Sequence, residues 1–415
     1  MIINNRKTHK RNHYKINSGK TRRLHHKYNQ IINLKSSTPR NIQRLSGEIS
    51  LYLTAQEEHQ KIVAQGYKGP SYAPSINEHL VSLRSIARSP LQECNTKAAF
   101  ELKEPLKISV RGSIYGKSCV AYNTPSAKQF LLHNLSANKH VIPSKVVPPI
   151  QIDSNCWFNT MFVTLFVSDK GRKFFHYFRQ LMIEGRQSNG AIIPPGLSNA
   201  FALLNFAAES ALTGSKYAYE LNTNSIILQI YNSIPQAYHK RDPYLVGVDE
   251  ASNPIRYYDS IINYLDNHSL KILYLQDVNR GDWKERIVKD VKKRSNVKPH
   301  IIIMEIFDDS GQKAGTSGTV KNKPTVFKIE DAEYSLDSCI IRDIQQQHFS
   351  ATITLEGKEM AYDGMSFHRL VPMQWKKKIN SPMKWSFDGS NNLDGTPLRW
   401  SFLHGYQMLI YYRTH

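Results

Sequence analysis

Asp153-Ser154-Asn155-Cys156-Trp157-Phe158-Asn159, followed by the apolar run from Met161 to Val167, is the stretch on which the reading of this chain turns. A polar turn precedes the cysteine and an amphipathic segment follows it, which predicts a helix with Cys156 in its first turn. The first N–H groups of a helix have no partners inside it, and the positive end of its dipole favours thiolate over thiol. A cysteine placed there is a nucleophile that needs a base. The alternative is a small buried side chain, a common state for an unpaired cysteine. The segment alone leaves both open.

A base is expected far downstream. Gln347-His348-Phe349-Ser350-Ala351-Thr352-Ile353-Thr354-Leu355 reads as a strand opened by a histidine, with Ala351, Ile353 and Leu355 alternating with Thr352 and Thr354. Glu356-Gly357 predicts a turn, Lys358 to Tyr362 the returning strand, and Asp363-Gly364 its end. A hairpin brings its two open ends together, so His348 and Asp363 are expected side by side. The carboxylate would then accept from the Nδ1–H of the imidazole and orient it as a base.

With these segments in view, the chain resembles the papain-like ubiquitin-specific proteases. Their cysteine box, Asn-x-x-x-x-Cys-Tyr/Trp-x-Asn, is similar to Gln151 through Asn159, with Gln151 standing at the first position. Their histidine box, His-Tyr-x-Ala-Tyr and a hairpin to an aromatic strand ending in Asp or Asn, is similar to His348-Phe349-Ser350-Ala351-Thr352 through Ala361-Tyr362-Asp363. Three further strands look like the family's: Pro299 to Met304, Tyr334-x-Leu336 with Ile340-Ile341, and the terminal Gly405 to Tyr412. The Asp-x-Asn-Cys-Trp-Phe run is also similar to the box of the ovarian-tumour-type deubiquitinases. The 192 residues between Cys156 and His348, and the terminal Tyr406-Gln407-Met408-Leu409 strand, favour the ubiquitin-specific type. The chain departs from the family at Gln347, where the family usually has Gly, and in lacking the paired Cys-x-x-Cys motifs of a zinc-binding fingers subdomain.

The resemblance implies a deubiquitinase or ubiquitin-like-protein isopeptidase: Cys156 as nucleophile, His348 as base, Asp363 as orienting acid and an acyl-enzyme, with ubiquitin or a ubiquitin-like protein as substrate. Gln151 and the Cys156 backbone N–H would stabilise the oxyanion, with Asn155 a second claimant through its backbone or side chain. No metal or organic cofactor is implied. The Asn-, Ile- and Lys-rich texture is similar to the divergent forms found in large DNA viruses, which implies host cytoplasm or virion; otherwise cytoplasm or nucleus is expected. Two rivals stay open. One is a virion structural or nucleic-acid-associated protein with an inactive protease fold, the other a viral maturation protease cutting structural precursors.

Composition sets the outer bounds. At 415 residues, 40% hydrophobic, the chain can bury a substantial core. No apolar run approaches the roughly 18 residues of a membrane span, and the first residues lack the apolar core of a secretory signal. Cysteines at 94, 119, 156 and 339 are scattered, which fits a reducing compartment better than a disulfide framework. The net charge is +21, and residues 1–47 hold 12 Lys and Arg with no acid, leaving +9 on the rest. Residues 1–47 are therefore read as a disordered basic arm for nucleic acid or an acidic protein, without sequence readout.

Residues 48–140 are read as an accessory region of unassigned fold, with helices at 48–65, 77–88 and 127–135 and strands at 107–111 and 118–122. Residues 141–150 form a proline-marked linker, and 141–415 the catalytic domain. Helices are predicted after Ser168, with a stop at Gly185, over 199–212, and over 253–265 with Asn253 as N-cap and Pro254 at the first position. Strands follow from Lys271. The expected fold is α+β and papain-like, with an N-terminal helical layer, a C-terminal antiparallel sheet and the site in the cleft between them. Residues 374–392 read as an inserted surface loop whose Trp375 and Trp385 pack down onto the sheet.

Overall fold

The computed structural model describes residues 94–414 apart from 114–115, 138–140, 188–189, 220, 266–270, 277–281, 295, 307–322 and 346. The basic arm and the helices predicted at 48–65 and 77–88 lie outside the described residues. The first described elements are α1 (Thr96–Phe100), the antiparallel pair β1 (Lys107–Ser113) and β2 (Gly116–Ala121), and α2 (Pro125–Ala137). Phe100, Leu106, Ile108 and Leu131 from this part share one apolar core with Trp157 and Phe206 of the helices that follow. Tyr122 Oη donates to Ser198 Oγ at 2.9 Å across the same junction. One reading is corrected here. Cys94 and Cys119 are joined by a disulfide, because β2 returns beside the segment entering α1 with their Cα atoms 5.8 Å apart.

The helical layer follows its local signals closely. It comprises α3 (Cys156–Phe162), α4 (Asp169–Phe174), α5 (His176–Glu184), α6 (Pro195–Thr213), α7 (Asn224–Ser233), α8 (Gln236–His239) and α9 (Pro254–Tyr264). Between α3 and α4 the chain makes a π-helical turn at Val163–Val167. Ser168 opens α4 by accepting the Gly171 N–H at 3.1 Å, and Gly185, at φ 70°, ends α5 in the left-handed conformation that glycine adopts without a Cβ clash. Asn253 opens α9 by accepting the N–H groups of Ile255 and Arg256, with Pro254 at the first helical position. Inside the layer Arg179 pairs with Glu209 and donates to Asn205 Oδ1 at 2.9 Å, so this buried guanidinium has both a counter-charge and a neutral acceptor.

The sheet carries β3 (Ile272–Leu275), β4 (Ile301–Ile306), β5 (Val326–Ile329), β6 (Ala332–Arg342), β7 (Phe349–Leu355), β8 (Lys358–Tyr362), β9 (Leu370–Pro372) and the terminal β12 (Gln407–Arg413). Its order is β3-β4-β12-β6-β7-β8-β9, with β5 also on β6. The last strand lies between β4 and β6 and is antiparallel to both. The sheet is not wholly antiparallel as expected: β3 pairs with β4 in parallel. Parallel neighbours need a crossover, and α10 (Trp283–Lys293) supplies it, burying Trp283, Ile287 and Val291.

Strand alternation sends side chains to two cores. Ile301 and Ile303 join the core under the helical layer, while Ile302 and Met304 join a second one on the opposite face. Both faces are covered, which explains why β4 is apolar on successive positions from Ile301 to Met304. The second face is covered by α10 and by the segment after β9, which holds α11 (Trp375–Lys378), β10 (Lys384–Trp385) and β11 (Trp400–Ser401). Trp375 is fully buried and donates its indole N–H to Ile353 O at 3.0 Å. The architecture is thus α+β, with the main helical layer on one face of a large, mainly antiparallel sheet and α10, α11 and the segment after β9 on the other.

Candidate active site

Cys156 reaches its position through a constrained turn. Asp153 takes a left-handed φ of 55°, and the Gln151 N–H donates to Gly364 O at 3.0 Å, tying the approach of α3 to the chain after β8. A Cβ on Gly364 would come within 3.0 Å of the Gln151 nitrogen, so this close approach requires glycine. The helix is anchored from below by Trp157, whose indole N–H donates to Glu250 O at 3.1 Å and whose ring meets Tyr257 edge-on. Cys156 itself is half-buried, while the residues of α3 that follow it are buried.

The hairpin is held at both ends. Its strands run antiparallel from the Ala351–Tyr362 pair to the Leu355–Lys358 pair. The turn residues Glu356 and Gly357 have φ of 49° and 74°, the two left-handed positions of a type I′ turn. Asp169 at the start of α4 accepts both their N–H groups, at 2.7 and 2.9 Å, and Arg172 pairs with the Glu356 carboxylate at 2.7 Å. At the open end, the buried Asp343 carboxylate accepts the N–H groups of Gln347 and His348, each at 2.6 Å, and of Gln345 at 2.9 Å. Asp343 N–H donates in turn to His348 O at 2.9 Å, so the two residues are bonded in both directions.

These supports bring Cys156, His348 and Asp363 together. His348 Nε2 lies 2.5 Å from Asp363 Oδ1, and the Cys156 thiol is near enough to the same imidazole for each to shift the other's protonation. The carboxylate therefore faces Nε2, where the sequence suggested Nδ1, which leaves Nδ1 for the sulfur. Burial pulls the His348 imidazolium pKa down, but the Asp363 charge and hydrogen bond outweigh it and raise the group to about 10. Burial pushes the Cys156 thiol up, yet His348 and the backbone groups of Phe349 and Trp157 bring it below its ordinary value. The pair is arranged to hold a thiolate beside an imidazolium.

The two amides read as oxyanion groups sit differently. Gln151 Nε2 donates to Asp153 O at 3.1 Å, within its own turn. The Asn155 side chain is turned into the interior: its oxygen accepts from Ile152 N–H and Asn159 Nδ2, and its nitrogen donates to Thr223 Oγ1, all at 3.0 Å. Thr223 comes from the start of α7, which no local pattern near Asn155 announced. Asp343, the Phe349 backbone and Ser390, which donates to Asp363 Oδ2, were likewise not identified from the sequence. An Asp five residues before the histidine was the one available cue, since Asp commonly accepts nearby backbone N–H groups in turns.

No protein-family profile matches this chain, and no curated protein is similar to it. Among solved structures, it is similar to the SAGA DUB module (Ubp8, Sgf11, Sus1 and Sgf73) bound to monoubiquitin. The identity is 10% and the TM-score 0.39, over 65% of this chain and 70% of that one. It is also similar to an essential yeast splicing factor at 11% identity and a TM-score of 0.32, over 77% of this chain and 88% of that one.

Proposed function

We propose that this protein is a cysteine peptidase of papain-like type that cleaves the carboxy-terminal tail of ubiquitin or a ubiquitin-like protein. The observation that supports the chemistry is the His348 imidazole, hydrogen-bonded to the Asp363 carboxylate and electrostatically coupled to the Cys156 thiol, at the boundary between the helical layer and the sheet. The acyl donor is inferred from the likeness of the cysteine and histidine boxes to those of the ubiquitin-specific proteases.

The Cys156 sulfur attacks the scissile carbonyl carbon, and the carbonyl oxygen becomes an oxyanion. The Cys156 N–H, which has no acceptor within its own helix, donates to it, and Gln151 joins once its amide leaves the Asp153 carbonyl. The carbon–nitrogen bond breaks as the His348 imidazolium gives its proton to the leaving amine. Water, deprotonated by His348, then attacks the thioester and releases the carboxylate and the thiolate. Asp363 holds the ring orientation throughout.

The test uses the full chain and ubiquitin carrying a thiol-reactive carboxy-terminal electrophile. A covalent adduct on the wild type and none on Cys156→Ala is the expected result. A wild-type chain whose Cys156 reacts with iodoacetamide but not with the ubiquitin probe would remove the ubiquitin assignment.

A further inference from the structure

Asp363 has two carboxylate oxygens, and only one of them faces the imidazole. Oδ1 accepts from His348 Nε2 at 2.5 Å and from Met365 N–H at 3.2 Å. Oδ2 accepts from the hydroxyl of Ser390, and both residues are fully buried. Rotation about the last bond of an aspartate is broad and roughly two-fold, so the side chain has little preference of its own for this orientation. The orientation comes from the donors around it, Met365 N–H on Oδ1 and the Ser390 hydroxyl on Oδ2. A buried carboxylate oxygen without a donor would also carry its whole desolvation cost.

Ser390 is itself held rigidly, and by the segment the sequence presents as an insertion. Phe367 N–H and Ser366 Oγ both donate to Asp388 O at 3.0 Å, and Leu398 N–H donates to Ser390 O at 3.0 Å. Gly389 has a φ of 86°, and a Cβ there would meet the Phe367 ring at 2.8 Å, so only glycine lets the strap come this close to the acid. Nearby, Asn392 Nδ2 donates to Gln345 Oε1 at 2.6 Å, joining the strap to the loop that carries His348. Phe387 meets Trp400 edge-on at 5.0 Å, and Trp400 in turn meets the His348 ring at 5.9 Å. Tyr362 lies within electrostatic reach of Asp363, and Arg369 within reach of Tyr362. Tyr362 donates to Pro149 O at 2.8 Å and Arg369 to Pro148 O at 2.7 Å, so neither supplies a donor to Oδ2.

We propose that Ser390 is a positioning residue of the centre, acting through Asp363: its hydroxyl fixes the carboxylate rotation that keeps His348 aligned with Cys156. The strap over residues 387–400 is then part of the catalytic apparatus as well as a cover for the sheet. This inference deepens the peptidase reading and rests on it.

The experiment measures Cys156 alkylation by iodoacetamide from pH 5 to 11, and kcat and KM on a ubiquitin-based fluorogenic substrate. The proteins compared are the wild type, S390A, S390T, Asp363→Asn and the S390A/Asp363→Asn double variant. Loss of a hydrogen bond to a charged group predicts about a tenfold slower alkylation at pH 6 for S390A, and a similar fall in kcat with KM held. S390T keeps the hydroxyl and stays within about threefold of wild type on the same grounds. In the Asp363→Asn background, S390A adds less than about a twofold change, because its route of action is already gone. A wild-type profile for S390A, an undiminished S390A effect in the Asp363→Asn background, or an S390A chain that does not fold would overturn the assignment. Ser390-dependent alkylation in a chain that ignores ubiquitin probes would instead remove the substrate class and leave this inference standing.

Discussion

Replacing Asp343 by alanine should separate the fold of the histidine loop from the fold of the sheet. The buried carboxylate accepts three backbone N–H groups, from Gln345, Gln347 and His348. Gln345 and Gln347 are exposed, so water can take over their N–H groups in the variant, at a small cost each. His348 is 4% exposed, and its N–H would be left without an acceptor, at about 1–3 kcal/mol. The total is about 2–4 kcal/mol, read as a lower urea midpoint at constant slope. The functional loss should be larger in proportion, since displacement of a catalytic ring by about 1 Å can cost 100-fold in rate. Asp343→Asn keeps one oxygen for Gln347 and His348 while turning its amide toward Gln345 N–H, and should lose roughly half as much stability. The assays are urea denaturation followed by tryptophan fluorescence, and the rate of Cys156 alkylation at pH 6. An Asp343→Ala chain within about 0.5 kcal/mol of wild type and with unchanged alkylation would refute the view that this loop is held by its aspartate.

Further outcomes are expected. With Cys156 lowered and His348 raised to about 10, the wild-type thiol should alkylate rapidly well below the ordinary thiol range and change its rate again near pH 10, where the imidazolium loses its proton. The His348 group lies above its ordinary 6.5 in the folded chain, so its contribution to stability is complete below about pH 6.5 and disappears as pH rises through about 10. Asp363→Asn should move that upper limit toward neutrality, and superimposable wild-type and Asp363→Asn profiles would contradict the assigned cause. We further propose that residues 1–47, with 12 basic residues and no acid, bind polyanions without sequence preference. A chain beginning at Gly47 should then bind nucleic acid more weakly and with a flatter salt dependence, whereas equal slopes for both chains would leave the stretch without that role.

Sequence by itself determined what depends on neighbours within a few residues. Ser168, Gly185, Asn253 and Pro254 mark helix ends because capping and left-handed backbone are satisfied locally. The alternating runs around Glu356-Gly357 made His348 and Asp363 neighbours, because an antiparallel hairpin sets that relation before any tertiary contact forms. Sequence pattern could not decide which imidazole nitrogen meets the acid, since that follows from the side-chain rotation of His348 in the packed site. Nor could it assign Asn155, whose amide is claimed by Thr223, 68 residues away, or pair Cys94 with Cys119 across a strand return. The parallel placement of β3 beside β4 depended on α10 crossing between them, a helix hidden in a basic stretch by its few apolar positions. Ser390 is the extreme case. It is one serine in a polar stretch, and only the folding of the strap against Phe367 and Trp400 carries its hydroxyl to the second oxygen of Asp363, because hydrogen-bond partners are chosen by packed geometry and not by spacing along the chain.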